Sequence, residues 1–253
     1  MQYAYAIVRA GHRRPRCRGV GTPGNAVRLV ASGPIAAAVS DVAHELQLDD
    51  ADAHTHLNVL TELLKRGPVL PLRLGTVADT DADIGHQLLD PMAERSVALL
   101  DALEDTVELH VDADDDERGV LTELARSGLV TPGGYDMRDA IAEGERIAAT
   151  LVQYRIQLVD ELLARLAPHA VDNVPRSMIS GPEDPLLRWA FLVRRDQLDD
   201  FDAAVGQMEQ DYPALAFRYV GPLPAAHFVD RVVLPDAAER DADQFAGSGR
   251  WGW

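Results

Sequence analysis

The side chains able to do chemistry are few and scattered. Cys17 is the single cysteine and sits among Arg13, Arg14, Arg16 and Arg18. Guanidiniums beside a thiol favour the thiolate, so position 17 is a candidate nucleophile by charge alone. No histidine or acid is spaced to serve it, and a bystander in a basic loop is the plainer reading. One cysteine builds neither an intrachain disulfide nor a cysteine-based metal site. Gly19-Val-Gly-Thr-Pro-Gly24 follows, with the letters G-x-G-x-x-G. A dinucleotide fingerprint needs a strand running straight into it and a helix opening from it. Here the preceding strand ends at Arg9, Pro23 lies inside the loop, and Ala26-Val-Arg-Leu-Val30 reads as another strand. A hairpin connection fits better than a phosphate cradle.

The remaining candidates are histidines and carboxylates. His54 and His56 are two residues apart on an expected helix and project from different sides, whereas metal-binding pairs sit three or four apart. Polar surface and one packed imidazole are the better reading. The runs at 79–83 and 112–117 resemble the first half of an EF-hand loop. Both lack the glycine at the sixth position that its turn requires, so helix capping is the expectation for each. There is no G-x-S-x-G elbow, no P-loop lysine motif and no H-E-x-x-H. The reading assigns no catalytic, cofactor-binding or metal-binding residue.

Charge narrows the partners. The 253 residues carry a formal charge of −17, and Lys65 is the only lysine among 24 basic residues. Duplex nucleic acid and anionic lipid both require a basic face, so neither is expected as a partner. A hydrophobic content of 47% beside 26% charged residues is that of an ordinary globular chain. No signal-like or membrane-spanning apolar run occurs, so a cytoplasmic location is the expectation.

The stretch Val69-Leu-Pro-Leu-Arg-Leu-Gly-Thr-Val77 organises the elements around these residues. Leu70, Leu72 and Leu74 alternate with Pro71, Arg73 and Gly75, which predicts one strand with a leucine face. Pro71 cannot donate to a ladder, so the strand belongs at a sheet edge. Before it come strands at 2–9, 26–30 and 35–40, an antiparallel meander or part of one, and a helix over 53–66 with Leu57, Leu60 and Leu64 on its stripe. After it, the spacing predicts a helix over 84–103, bent near Pro91, and a strand at 106–111. A short helix at 117–126 precedes a long helix at 137–166, stopped by Pro168. Strands at 171–178 and 187–193, a helix at 197–210 and a strand at 215–220 complete the set. The long helix would span about 45 Å, more than one small sheet covers, so its end is expected to pair with another helix or with a partner. The fold class is α+β in two domains. Residues 1–80 form a small N-terminal α+β domain, and 81–235 a modified ferredoxin-like domain with long helices in a helical-hairpin, coiled-coil-like arrangement. Residues 236–253 form a mobile tail.

Several stretches, in order, resemble the gas vesicle protein F/L family. They are Tyr3-Ala-Tyr-Ala-Ile-Val8, His56-Leu-Asn-Val-Leu60 with the 69–76 strand, Gly134-Tyr-Asp-Met137, Ala190-Phe-Leu-Val-Arg194, and Gly221-Pro-Leu-Pro224 with Phe228-Val229. The last departs from the family's G-P-W-P-P-Y-x-F, because Leu223 stands where Trp is usual. Ala225 and Ala226 stand where Pro and Tyr are common. The resemblance implies a non-enzymatic accessory protein required for gas vesicle formation, in the cytoplasm or on the nascent vesicle. It implies binding to the small hydrophobic shell protein and to other gas vesicle accessory proteins. Its motif positions Arg73, Tyr135, Gly221, Pro222, Pro224 and Phe228 are the candidate partner-binding residues, with Arg73 expected to matter more to folding. The alternative is a small-molecule or anion-binding protein, or an enzyme, on the ferredoxin-like sheet, motivated by the G-x-G-x-x-G loop beside the arginine-rich segment around Cys17.

Overall fold

A computed structural model describes residues 1–21, 24–115, 119, 137–176 and 186–232. They fall into two compact units, residues 1–108 with 222–253 and residues 109–221.

The first unit is built on β1 (Gln2–Arg9), whose six central residues are all buried. A run apolar on both faces belongs at a sheet centre, and β1 lies between β3 (Ile35–Asp41) and β4 (Leu70–Pro71) in the order β2-β3-β1-β4. β2 (Arg28–Ser32) pairs with β3 as a hairpin, and β5 (Val77–Ala78) also pairs with β1. All these pairings are antiparallel, but β3 rather than β2 lies beside β1, so the simple meander is not formed. β4 is an edge strand, as Pro71 requires. The predicted long strand nevertheless stops after Pro71. Gly75 takes φ +89° in the turn that follows, and Leu74 is 48% exposed, so the leucine alternation ends at Leu72.

Helix α1 (Asp50–Leu64) starts where Asp49 caps Asp52 N–H and Asp52 answers onto Asp49 N–H. Its buried stripe is His56, Val59, Leu60, Leu63 and Leu64; Leu57 points out. The stripe is thus headed by a histidine that the leucine spacing passed over. Helix α2 runs through Asp81–Asp83, Ile84–Leu89 and Asp90–Ala102. Thr80 and Asp83 form its capping box, which settles the 79–83 acidic run as a cap. The middle segment opens into wide π turns just before Pro91, whose ring and missing N–H do not fit a regular ladder. α2 packs on β1, β3 and β4. Arg28 bonds Asp81 at 2.6 Å, and Arg9 bonds Asp101 and Glu104. The division therefore falls after Glu108 instead of near residue 80, because the apolar face of α2 is buried on the first sheet.

The chain passes into the second unit within β6 (Thr106–Asp115) and returns within β9 (Leu215–Leu223). Between them lie α3 (Met137–Leu166), β7 (Asp172–Pro175), β8 (Leu187–Arg194) and α4 (Leu198–Asp211). The strand order β7-β8-β6-β9 with this β-α-β-β-α-β sequence is the ferredoxin-like arrangement. The rings of Phe191 and Phe201 meet at a tilt of 59°, 5.2 Å apart, and Val205 and Met208 of α4 are buried with them. The C-terminal end of α3 meets α4, where Arg165 bonds Asp211 at 2.5 Å and lies over the Tyr212 ring. Helix pairing thus answers the excess length at that end of α3. Apart from residue 119, the expected helix at 117–126 lies outside the described residues, as do residues 177–178 of the expected 171–178 strand and the tail.

Candidate functional site

The segment before β2 is a short ribbon. Gly19 N–H donates to Asn25 O at 2.7 Å, Val27 N–H to Cys17 O at 3.3 Å, and Arg18 pairs with Ala26. Both outer glycines of the G-x-G-x-x-G letters are there for close approach. A Cβ at Gly19 would lie 2.1 Å from Tyr5 Oη and 2.4 Å from Ser40 Oγ, and one at Gly24 would lie 2.1 Å from Gly19 O. The Tyr5 hydroxyl lies 2.7 Å from Ser40 Oγ and accepts from Val20 N–H at 2.8 Å. The glycines therefore seat the ribbon on β1 and β3, and neither a strand entering nor a helix leaving gives them a phosphate. Gly19→Ala should lower stability by about 1–3 kcal/mol through overpacking. Urea denaturation checks this, and unchanged stability would mean that the contact is not tight.

Cys17 is half-buried. Burial first, and the charge of Glu62 second, push its thiol up from the ordinary range. The neighbouring arginines thus do not create the thiolate that charge counting suggested, since their head groups are exposed to water.

Tyr3, Tyr5 and His56 form a ring cluster, with centroids 4.8, 5.7 and 5.5 Å apart. His56 is 6% exposed, and burial holds its pKa down at about 4. The ring is therefore neutral, and one nitrogen bonds the Leu72 backbone while Nδ1 lies 2.9 Å from Tyr3 Oη. With Nε2–H on the Leu72 carbonyl, Nδ1 accepts from the Tyr3 hydroxyl, which itself accepts from Gly75 N–H at 3.1 Å. Burial pushes the Tyr3 hydroxyl up to about 12, so it stays a donor. Two side chains thereby hold the turn at 72–75 against β1 and α1. His54 is exposed, so the two histidines do not meet.

Within the first unit, Glu108 is 1% exposed and its two oxygens take the backbone N–H and Nδ1 of His227, at 2.9 and 2.7 Å. This bonding latches residues 222–232 onto the start of β6. Pro224, Ala225, Phe228 and Val229 are buried beside it.

In the second unit the 112–115 carboxylates have partners that capping does not need. Asp112 bonds Arg176 at 2.7 Å, and Asp115 holds Arg155 by a two-pronged bond of 2.8 and 2.5 Å. They lie in β6, so the capping expectation is corrected for both. Along α3, Leu151, Leu158, Val159, Leu162 and Leu166 are buried, while Val152 and Ile156, one turn apart, are 53% and 45% exposed.

The candidate partner-binding residues are spread. Arg73, Gly221 and Pro222 are exposed, Pro224 and Phe228 are buried, and Tyr135 lies outside the described residues. Burial of Phe228 gives it a packing role that its motif position alone did not reveal. The contacts that spacing did not give, His56 with Tyr3 and Glu108 with His227, carried one signal each: a histidine at the head of an apolar stripe, and a carboxylate inside an alternating strand.

Known proteins match along most of this length. A family model described as "Gas vesicle synthesis protein GvpL/GvpF" matches residues 1–230. "Gas vesicle protein F" of Streptomyces sp. (strain CB03234) is 34% identical over 241 residues, covering 90% of this chain and 99% of that protein. Crystal structures of gas vesicle protein GvpF from Anabaena sp. PCC7120 and from Microcystis aeruginosa superpose with TM-scores of 0.76 and 0.73, each at 19% identity. Both cover 90% of this chain, and 95% and 98% of the respective crystal chains. At that identity they speak for the fold.

Proposed function

Because the chain belongs to the GvpL/GvpF family of gas vesicle synthesis proteins, we propose that it serves gas vesicle formation as a non-enzymatic accessory protein. In this reading it binds the small hydrophobic shell protein and other accessory proteins early in assembly, in the cytoplasm or at the nascent vesicle. The family match over residues 1–230 carries the reading.

The chemistry of the chain supports it. A shell subunit with apolar surface must be shielded before it assembles. An acidic chain whose long helix shows Val152 and Ile156 to water can provide an apolar strip within a surface that itself stays soluble. Among the described residues, no helix is long and apolar enough to cross a membrane. Arg73, Gly221 and Pro222 are the exposed motif positions left to touch a partner.

Co-purification from a vesicle-forming host tests the reading. The tagged chain should retain the shell protein, and Val152→Glu/Ile156→Glu should retain at least about tenfold less with an unchanged melting temperature. If the unaltered chain retains none, and deleting its gene leaves vesicle number and shape normal, the reading fails. If only the double variant behaves as the unaltered chain, the α3 strip is not the contact.

A further inference from the structure

The arginines around Cys17 have no place in the packing just described. Arg14, Pro15, Arg16, Cys17, Arg18 and Ala26 line one open concavity of about 570 Å³. Arg14, Arg16 and Arg18 are exposed, as is Arg13 beside them. The bonds they make are to backbone: Arg14 Nε donates to Val27 O and Arg18 Nη1 to Gly24 O, each at 2.9 Å. Among the described residues none of the four arginines has a carboxylate partner. Glu62, whose charge reaches Cys17, is itself bonded to Lys65. In a chain of 41 acidic and 24 basic residues, arginines left without acids are the exception that needs a reason.

We propose that this concavity is a docking site for a short acidic segment of another polypeptide. Three features select that occupant. Guanidiniums grip carboxylates in two-pronged bonds, and Arg14, Arg16 and Arg18 all line the same concavity. The ribbon is pinned by its own backbone bonds and by the glycine contacts with Tyr5 and Ser40, so little order has to be imposed on binding. Pro15, Cys17 and Ala26 supply small apolar contacts suited to the methylenes of Glu and Asp side chains. A longer polyanion such as nucleic acid would run from the patch onto a surface dominated by negative charge and be repelled. The site stands independently of the vesicle reading.

Fluorescence anisotropy of a labelled deca-glutamate peptide, titrated with the full-length protein, tests it. Inorganic phosphate and a single-stranded decanucleotide serve as competitors. Arg16→Glu is the central variant, because Arg16 makes none of the ribbon's structural bonds. Arg218→Glu, an exposed change on β9, alters net charge equally far from the ribbon in sequence. Salt-sensitive binding that falls about tenfold in Arg16→Glu and is kept in Arg218→Glu is the expected result. The proposal is overturned by absence of peptide binding at millimolar protein. It is equally overturned if the two variants lose binding alike, or if phosphate or the decanucleotide displaces the peptide more effectively than unlabelled peptide does. A circular-dichroism melt of each variant separates lost binding from lost fold, and Arg16→Gln repeats the test should Arg16→Glu unfold.

Discussion

Arg155→Met should lower stability by about 3–5 kcal/mol, while Arg155→Met/Asp115→Leu should recover most of it. The guanidinium on α3 is 7% exposed and the carboxylate at the end of β6 is 2% exposed. Removing one partner strands the other charge out of water, where its desolvation is no longer offset. Removing both replaces an ion pair by apolar contact, and the two-pronged bond then has nothing left unsatisfied. Urea denaturation followed by fluorescence is the measurement, with Trp189 on β8 reporting from the same unit. If the single and double variants lose equally, the pair is not energetically coupled. The contrast also tests what joins the long helix to its sheet, since the apolar stripe alone predicts only a modest loss.

Acid should weaken the fold through His56. Its pKa is about 4 in the folded chain against 6.5 in an open one. Between these values the unfolded chain binds the proton and the folded chain does not, so stability falls as pH falls. The contribution is fully present above pH 6.5, is lost progressively toward pH 4, and amounts to about 3 kcal/mol. His56→Gln can still accept from Tyr3 and donate to the Leu72 carbonyl but cannot take a proton. Its denaturation midpoint should lack this slope across the same window. A slope of equal size in the variant would place the acid sensitivity elsewhere. Lys65 and Asp90 illustrate why few other groups should matter as much: their pairs lie at the surface, where water screens them.

Both predictions turn on contacts between distant parts of the chain. Arg155 and Asp115 are 40 residues apart and Tyr3 and His56 are 53 apart. Spacing read along the sequence placed Asp115 in a capping run and gave one packed imidazole of the His54/His56 pair, without saying which or naming its partner. Charge counting offered the arginines beside Cys17 as a source of thiolate and set that below a bystander cysteine; burial and Glu62 push the thiol up. The leucines at 70 and 72 were correctly assigned to a core, but Leu74 was not, because Gly75 turns the backbone before the third leucine can point inward.

What the sequence determined by itself was the local grammar and the kinship. Helix α3 runs over the residues its periodicity and Pro168 predict, and the 79–83 run caps the helix that follows it. The order of elements after residue 105 already spells a ferredoxin-like layer, and the scattered motifs point to one family. These signals act over a few residues, through backbone sterics, hydrogen bonds to neighbouring N–H groups and side-chain period, so they survive in one dimension. Only the tertiary structure decided which sheet α2 covers, why Gly19 admits no side chain, that Phe228 is buried, and which carboxylate meets which guanidinium. Those outcomes depend on which surfaces lose water together, and sequence neighbours do not carry that information.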